Sequence, residues 1–433
     1  MNKLMRHRIR SVVVTAAVGV LALVASGCGD GDAGSDELAG ELRVVANWTG
    51  SEGDAFQKVI DGFEAKHPDI DVRVEQVPFD QTQALLTQQF AQGSPPDVSV
   101  ALPGIIRTLS RQHLLLELDD MWETWVADGA YPASLRDVAK GAGDATEAVY
   151  FKGNVNGLIW YDPTHLKRLG IEPSTTWDGF LDAADTARAA GVEPFAVGGK
   201  DGWPLTQWAD PVLLRVAGPE VFHQLQNGEL GWDDERVVEA FTVLSDLMRD
   251  YFPANALSAG FTDATCARAK GDYAFQNQGA FVNSIAPAEC DEGIEPGKTL
   301  AFFPMPAYDP SVPAAQAVSG DLFIGAKSTE HEAATRALLE YLGSADAQRI
   351  WAKIGGYIAP NLQVPTSVYP TVNDREAAKL WPKGNVDAAY DLDDWIGGEV
   401  QVTYTQALAQ LARDHSVDAF VEAMTEVDTR SAK

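Results

Sequence analysis

Eleven tryptophans, many beside turn-forming residues, are the side chains of this 433-residue chain best suited to hold a ring-shaped ligand. Trp203 stands in Asp201-Gly202-Trp203-Pro204, which reads as a turn rather than a core helix, and Trp208 and Asp210 follow closely. An aromatic face beside a carboxylate suits a sugar. Ring C–H groups pack on flat aromatic surfaces, and hydroxyls need paired donors and acceptors. Trp48 follows the first apolar run, and Trp395 closes Asp391-Leu392-Asp393-Asp394-Trp395, where no helical period is evident. Each of these four rings either stacks on a ligand or fills packing space. Trp122, Trp125, Trp177, Trp232 and Trp381 read as structural. Among the acids, Glu52 and Asp321 stand out. Asp321 lies between Gly320 and the apolar run Leu322-Phe323-Ile324, so it begins a strand and either points into a cleft or caps a turn. Asp97 begins a strand after Pro95-Pro96, where an Asx-type turn competes with ligand contact.

Hydrolysis of a glycosidic bond is the competing chemistry. It needs two carboxylates on opposite sides of the bond, one with a raised pKa. With 62 acidic residues such pairs arise by chance and discriminate nothing. No Gly-x-Ser-x-Gly, His-Glu-x-x-His or Walker-type loop occurs, and the chain reads as a non-enzyme. The seven histidines are scattered, and there is no Cys-x-x-Cys, so neither a metal nor a cofactor is expected. A formal charge of −29 argues against nucleic acid and anionic lipid heads as ligands.

The start of the chain carries a different chemistry. Lys3, Arg6, Arg8 and Arg10 precede an apolar run from Val12 to Ala25, and Ser26-Gly27-Cys28 follows. This is the layout of an export signal over residues 1–27. Cys28 sits as in a lipobox, where its thiol receives a diacylglycerol and becomes the new N-terminus. Ala25 stands where leucine is commoner. Residues 28–40 read as a flexible Gly/Asp/Ser/Ala tether. Cys266 and Cys290 are the other two cysteines, and in an exported chain they most simply form one disulfide, two free thiols being the alternative.

The elements that must position these groups alternate. Strands are expected at Leu42–Ala46, at Ile70 to Glu75, where apolar residues alternate with charged ones, and at Asp97–Ala101. Amphipathic helices are expected at Asp54–Lys66 and Thr82–Gln92. This β-α-β-α-β order implies a parallel or mixed sheet with helices on its faces. Further helices are expected at Asp234–Tyr251, at Ser328–Leu342 with Thr329 and Glu332 at capping-box spacing, and over the final segment from Val417.

Several stretches resemble one family, the extracellular solute-binding proteins (family 1) of ABC transporters, which bind sugars and include maltodextrin receptors. Val44 to Glu52 looks like that family's opening strand and loop. Gly93-Ser94-Pro95-Pro96-Asp97-Val98 looks like its G-x-x-P-D-V strand. Leu158-Ile159-Trp160-Tyr161-Asp162, Leu169-Gly170-Ile171 and Thr176-Trp177-Asp178-Gly179-Phe180 resemble its longest motif, with Asp162 where Asn is usual. Gly202-Trp203-Pro204, Trp208-Ala209-Asp210, Ala217 to Val221, Asn277 to Phe281, Ser319-Gly320-Asp321 and Pro360-Asn361 look like the α-glucoside-binding branch. Asn277 departs from the histidine common there.

The resemblance implies an α/β fold of the periplasmic-binding-protein type II class, two lobes joined by a hinge that the chain crosses several times. The crossings are expected near Asn154, between Pro306 and Ala317, and near Gly355. The lobes are then 41–154 plus 316–354, and 155–315 plus 355–433. Lys152 and Asn154 flank the first crossing and either reach a ligand hydroxyl or are solvated hinge residues. Gln278 is a ligand candidate on the motif alone. The implied function is capture of an α-linked di- or oligosaccharide by lobe closure and delivery to membrane permease subunits. The receptor is expected to be monomeric and tethered outside the cytoplasmic membrane by lipid. The alternative is the same scaffold with a non-sugar solute such as a polyamine.

Overall fold

In the computed structural model, residues 38–290, 293–382 and 387–431 are described. The expected leader, Cys28 and the tether as far as residue 37 lie outside them. Ten strands follow in chain order: β1 (Gly40–Ala46), β2 (Ile70–Gln76), β3 (Val98–Ala101), β4 (Ala148–Val155), β5 (Leu158–Tyr161), β6 (Glu193–Phe195), β7 (Tyr273–Gln278), β8 (Ala301–Pro304), β9 (Ala315–Gly325) and β10 (Asp387–Tyr390). Gly40, expected to end the tether, instead opens β1, where its N–H donates to the Asp69 carbonyl.

The first sheet has the order β10-β9-β3-β1-β2, with β4 also on β9. Strands β2, β1 and β3 are parallel, while β9 runs antiparallel to β3 and β4. The mixed sheet follows from the alternation in the sequence: helices return the chain between parallel strands, and each buries one face on the sheet. The helix Gly50–Glu64 buries Phe56, Val59, Ile60 and Phe63. The helix Phe79–Ala91 starts directly after Pro78, earlier than expected.

One capping expectation fails. The helix expected from Ser328 runs Glu332–Gly343, its N-cap is His331, and no side chain caps it. Thr329 Oγ1 instead donates to Asp97 Oδ1 at 2.6 Å and accepts from the His331 N–H. The helix starts later than the spacing implies, so Thr329 stands two residues before the N-cap and its hydroxyl bonds the neighbouring loop rather than a helix N–H.

The second sheet has the order β6-β7-β5-β8. Its core gathers Trp208, Leu213, Phe241, Leu244, Tyr404, Leu408, Phe420 and Met424. The chain passes to this lobe between β4 and β5, at Asn156-Gly157. Gly157 has φ +70°, and a Cβ there would sit 3.1 Å from Pro211, so glycine suits both the turn and the close approach. The chain returns between Pro304 and Ala315. The third passage was expected near Gly355. The stretch from Gly356 to Trp381 is instead tied to both sides, so the expected boundary is not a clean one. Leu362 N–H donates to the Ala130 carbonyl at 2.7 Å, and Asn361 Nδ2 to that of Gly343 at 2.9 Å. Asn373 Nδ2 donates to the Leu300 carbonyl at 2.8 Å and to Asn283 Oδ1 at 2.9 Å. Strand β10 then lies on β9, and the helices Gly398–Asp414 and Val417–Ser431 join the second core.

Cys266 and Cys290 are disulfide-bonded, tying the helix Phe261–Lys270 to the end of the helix Val282–Glu289. Among the described residues no helix is long and apolar enough to cross a membrane.

Candidate functional site: a cleft between the lobes

A cavity of about 440 Å³ is lined by residues of both lobes, including Asn47, Trp48, Glu52, Lys152, Asn154 and Asp321 from one side and Trp203, Gln207, Phe281 and Gln401 from the other. It lies beyond the carboxyl end of β1, where open α/β sheets place their ligands.

On the first lobe, β4 and β9 are paired so that Lys152 sits opposite Asp321. Lys152 Nζ donates to Glu52 Oε1 at 2.6 Å and lies 5.1 Å from the Trp351 ring centre and 5.5 Å from that of Trp48. Asp321 accepts from Asn47 Nδ2 at 2.7 Å and from the Trp48 indole N–H at 3.2 Å. Burial pushes the Asp321 carboxyl above its usual range, and the nearby Lys152 charge opposes that rise. Trp48 is 3% exposed and packs on Phe56 and Trp351, each 5.0 Å away. Little of its ring is exposed to the cleft it lines. Asn154 lines the cleft while its amide donates to Ser319 Oγ at 3.1 Å and also to Asn156.

On the second lobe, Gly202 adopts φ +80°, ψ −64°, a conformation that favours glycine. It turns the chain so that Trp203 is the first residue of the helix Trp203–Val216, with Pro204 in the first turn, where a missing N–H does no harm. The Trp203 ring packs on Phe261 at 5.0 Å and Phe281 at 5.8 Å and lines the cleft. Phe79 and Val402, 41% and 53% exposed, give further apolar lining.

An acidic segment after β10 completes the wall. Asp391 accepts from Asn156 Nδ2 at 2.6 Å and Gln207 Nε2 at 3.0 Å. Burial, then the charges of Asp210 and Asp393, hold its carboxyl well above the usual range. Burial raises Asp393 to about 6. Asp394 is raised well above the carboxylate range by burial, then by Asp393 and Asp391. Taking several carboxyls out of water close together disfavours their joint ionisation.

Other residues singled out in the sequence lie elsewhere. Trp208 is 0% exposed and packs in the second core, 4.8 Å from Phe195. Asp210 is buried in the same helix and accepts from the Leu392 N–H at 2.7 Å and the Tyr404 hydroxyl at 2.8 Å. It holds the acidic segment in place from behind. Asp97 accepts from the Arg43 N–H at 2.8 Å and from Thr329, tying β1 to the loop after β9. Gln278 is buried at the end of β7, opposite Leu158. Trp395 lies under the Arg107 guanidinium, 4.5 Å from its ring. None of these five lines the cleft. Asn47, Gln207 and the three aspartates 391, 393 and 394 do line it and were not singled out. The only signal for the aspartates was their density around Trp395, and such a run ordinarily reads as a solvated face.

The family of bacterial extracellular solute-binding proteins matches residues 47–349, and the chain belongs to that family. Its relatives include an α-glucosides-binding periplasmic protein of Rhizobium meliloti, 27% identical over 363 residues, covering 78% of this chain and 75% of that protein. An osmoprotective compounds-binding protein of Synechocystis sp. is 23% identical over 391 residues, covering 87% and 90%. Among solved structures, the GacH receptor of Streptomyces glaucescens superposes with a TM-score of 0.74 at 20% identity, over 91% of this chain and 98% of that one. The solute receptor AcbH superposes with a TM-score of 0.78 at 19% identity, over 90% and 98%. The fold is thus the two-lobed type II binding-protein fold, and the chain is a solute-binding protein that acts outside the cytoplasm.

Proposed function

We propose that this protein is the substrate receptor of an ABC importer and captures an α-glucoside or a related di- or oligosaccharide. The observation that carries this reading is the cleft itself. Trp203, Phe79 and Phe281 offer apolar faces from both lobes, and carboxylates and amides converge between them. A few oriented polar groups in a mostly apolar cavity are the general form of a small-molecule site, and about 440 Å³ falls in the usual size range. The names of the relatives support the class: one binds α-glucosides, and another binds melibiose, raffinose and stachyose.

Closure of the lobes follows the ligand's differential affinity for the closed state. The closed receptor then presents the sugar to permease subunits. Cys28 anchors it by lipid, and the segment from Cys28 to the start of β1 acts as a tether that raises its effective concentration at the membrane. Trp48, Glu52, Lys152, Asn154, Trp203 and Asp321 are the proposed ligand contacts carried from the sequence, joined by Asn47 and Gln207. The test is calorimetric titration with maltose, trehalose, sucrose and longer α-glucosides. Binding near micromolar, about −8 kcal/mol, is expected for at least one. Failure of all of them, or release of reducing sugar on incubation, overturns the reading.

A further inference from the structure

We propose that the solute carries a basic nitrogen, bound as an ammonium at the Asp391–Asp394 end of the cleft, so that the natural ligand is an amino-bearing saccharide. This rests on the reading of the cleft as a saccharide site.

The first observation is charge. Among the described residues lining the cleft, six are acidic and one, Lys152, is cationic. Lys152 is already bonded to Glu52 at 2.6 Å. No cation faces Asp391, Asp393 and Asp394 from among the lining residues.

The second observation is independent of charge and concerns hydrogen-bond direction. Gln207 turns its Nε2 to Asp391 and Asn47 turns its Nδ2 to Asp321. Each therefore spends its N–H on a carboxyl and leaves its carbonyl oxygen to find another donor. Gln207 Oε1, Asn47 Oδ1 and Asp393 Oδ1 are all buried without a partner, in residues 4%, 5% and 4% exposed. The unmet capacity at the cleft wall is thus acceptor capacity. Buried acceptors without donors are destabilising until a ligand supplies them.

The chemistry that matches is donor-rich and positive. A hydroxyl brings lone pairs that want donors as well as a proton to give, whereas an ammonium brings three donors and no acceptor. Charge-assisted bonds from an ammonium to carboxylates are also stronger than neutral ones. An ammonium beside these aspartates would favour their charged forms, which burial and, for Asp391 and Asp394, the neighbouring carboxyls disfavour.

The test is calorimetry at pH 7 on the mature protein with matched pairs: trehalose and maltose, their 2-amino-2-deoxy derivatives, and the N-acetylated forms of those amines, with spermidine as a cation without a sugar frame. At least tenfold tighter binding of an amine than of its neutral and acetylated partners is expected. Asp393→Asn should collapse that ratio, and Asp394→Asn serves the same purpose if Asp393→Asn does not fold. Neutral sugars binding as well as their amines, or a ratio unmoved by either variant, overturns the inference while leaving the saccharide reading in place. Binding of spermidine alone supports the cation site and removes the saccharide reading. Binding of none of the probes overturns both.

Discussion

Asn156 donates its side-chain amide to Asp391 Oδ1 at 2.6 Å. The bond joins the point where the chain first passes between lobes to the acidic segment that walls the cleft. Gln207 donates to the other oxygen of Asp391, so one buried carboxyl links hinge, second lobe and cleft. Asp391→Ala leaves two buried donors without their acceptor. It should lower stability by about 1–3 kcal/mol and weaken solute binding as well. Urea unfolding and titration of the same variant check both. Unchanged affinity would separate the hinge contact from the cleft.

Trp203 and Trp208 should behave differently despite their nearness in sequence. Trp203→Ala removes a cleft wall and should weaken a bound solute by about 1–3 kcal/mol with little change in stability. Trp208→Ala empties a core position and should destabilise the fold by about 3–5 kcal/mol. Thermal melts beside titrations discriminate the two. Similar melts for both variants would contradict the placement of Trp208 in the core.

The acidic segment predicts an unusual pH response. Burial raises Asp393 from 3.8 to about 6. A carboxyl raised on folding contributes stability that is fully present below pH 3.8 and lost as pH rises through about 6. Asp391 and Asp394 are raised as well and act in the same direction. Asp393→Asn should therefore stabilise the ligand-free protein at pH 8 by about 1–3 kcal/mol and give no gain near pH 3. Urea titrations at the two pH values measure this. An equal effect at both would show that folding does not raise the carboxyl.

Reduction of the Cys266–Cys290 bond opens a loop with a sequence separation of 24. On the chain-entropy argument the loss is roughly 3 kcal/mol. Unfolding with and without a reductant tests it, and identical midpoints would contradict a structural role.

Much of the fold was legible because its signals are local. The alternation of Ile70, Val72 and Val74 with charged residues gave β2, and the helical spacing of Phe56, Val59, Ile60 and Phe63 gave the helix packed beside it. Long-range choices were not legible. Thr329 had capping-box spacing, yet its hydroxyl is taken by Asp97, 232 residues earlier in the chain. The cleft was half legible for the same reason. Turn context marked Trp203, and the start of a strand marked Asp321. Trp208 and Asp210 share that neighbourhood, but the helix begun at Trp203 turns both into the interior. The aspartates at 391, 393 and 394 look like a solvated run until β10 and Asp210 are seen to fix them against the cleft.

The anchoring reading separates location from binding. Cys28→Ser should release the protein from membranes and impair uptake while solute affinity stays unchanged. Cell fractionation and titration of the released form check it. Retention of the variant in the membrane fraction would contradict lipid anchoring at Cys28.

The most direct test of the central claim is titration of the purified mature protein with the α-glucoside panel, followed by tryptophan fluorescence and heat, with Trp203→Ala as the paired variant. Saturable binding near micromolar, weakened in the variant by about 1–3 kcal/mol, is the result expected for a sugar held in this cleft. No binding by any sugar, or binding untouched by loss of Trp203, would contradict it.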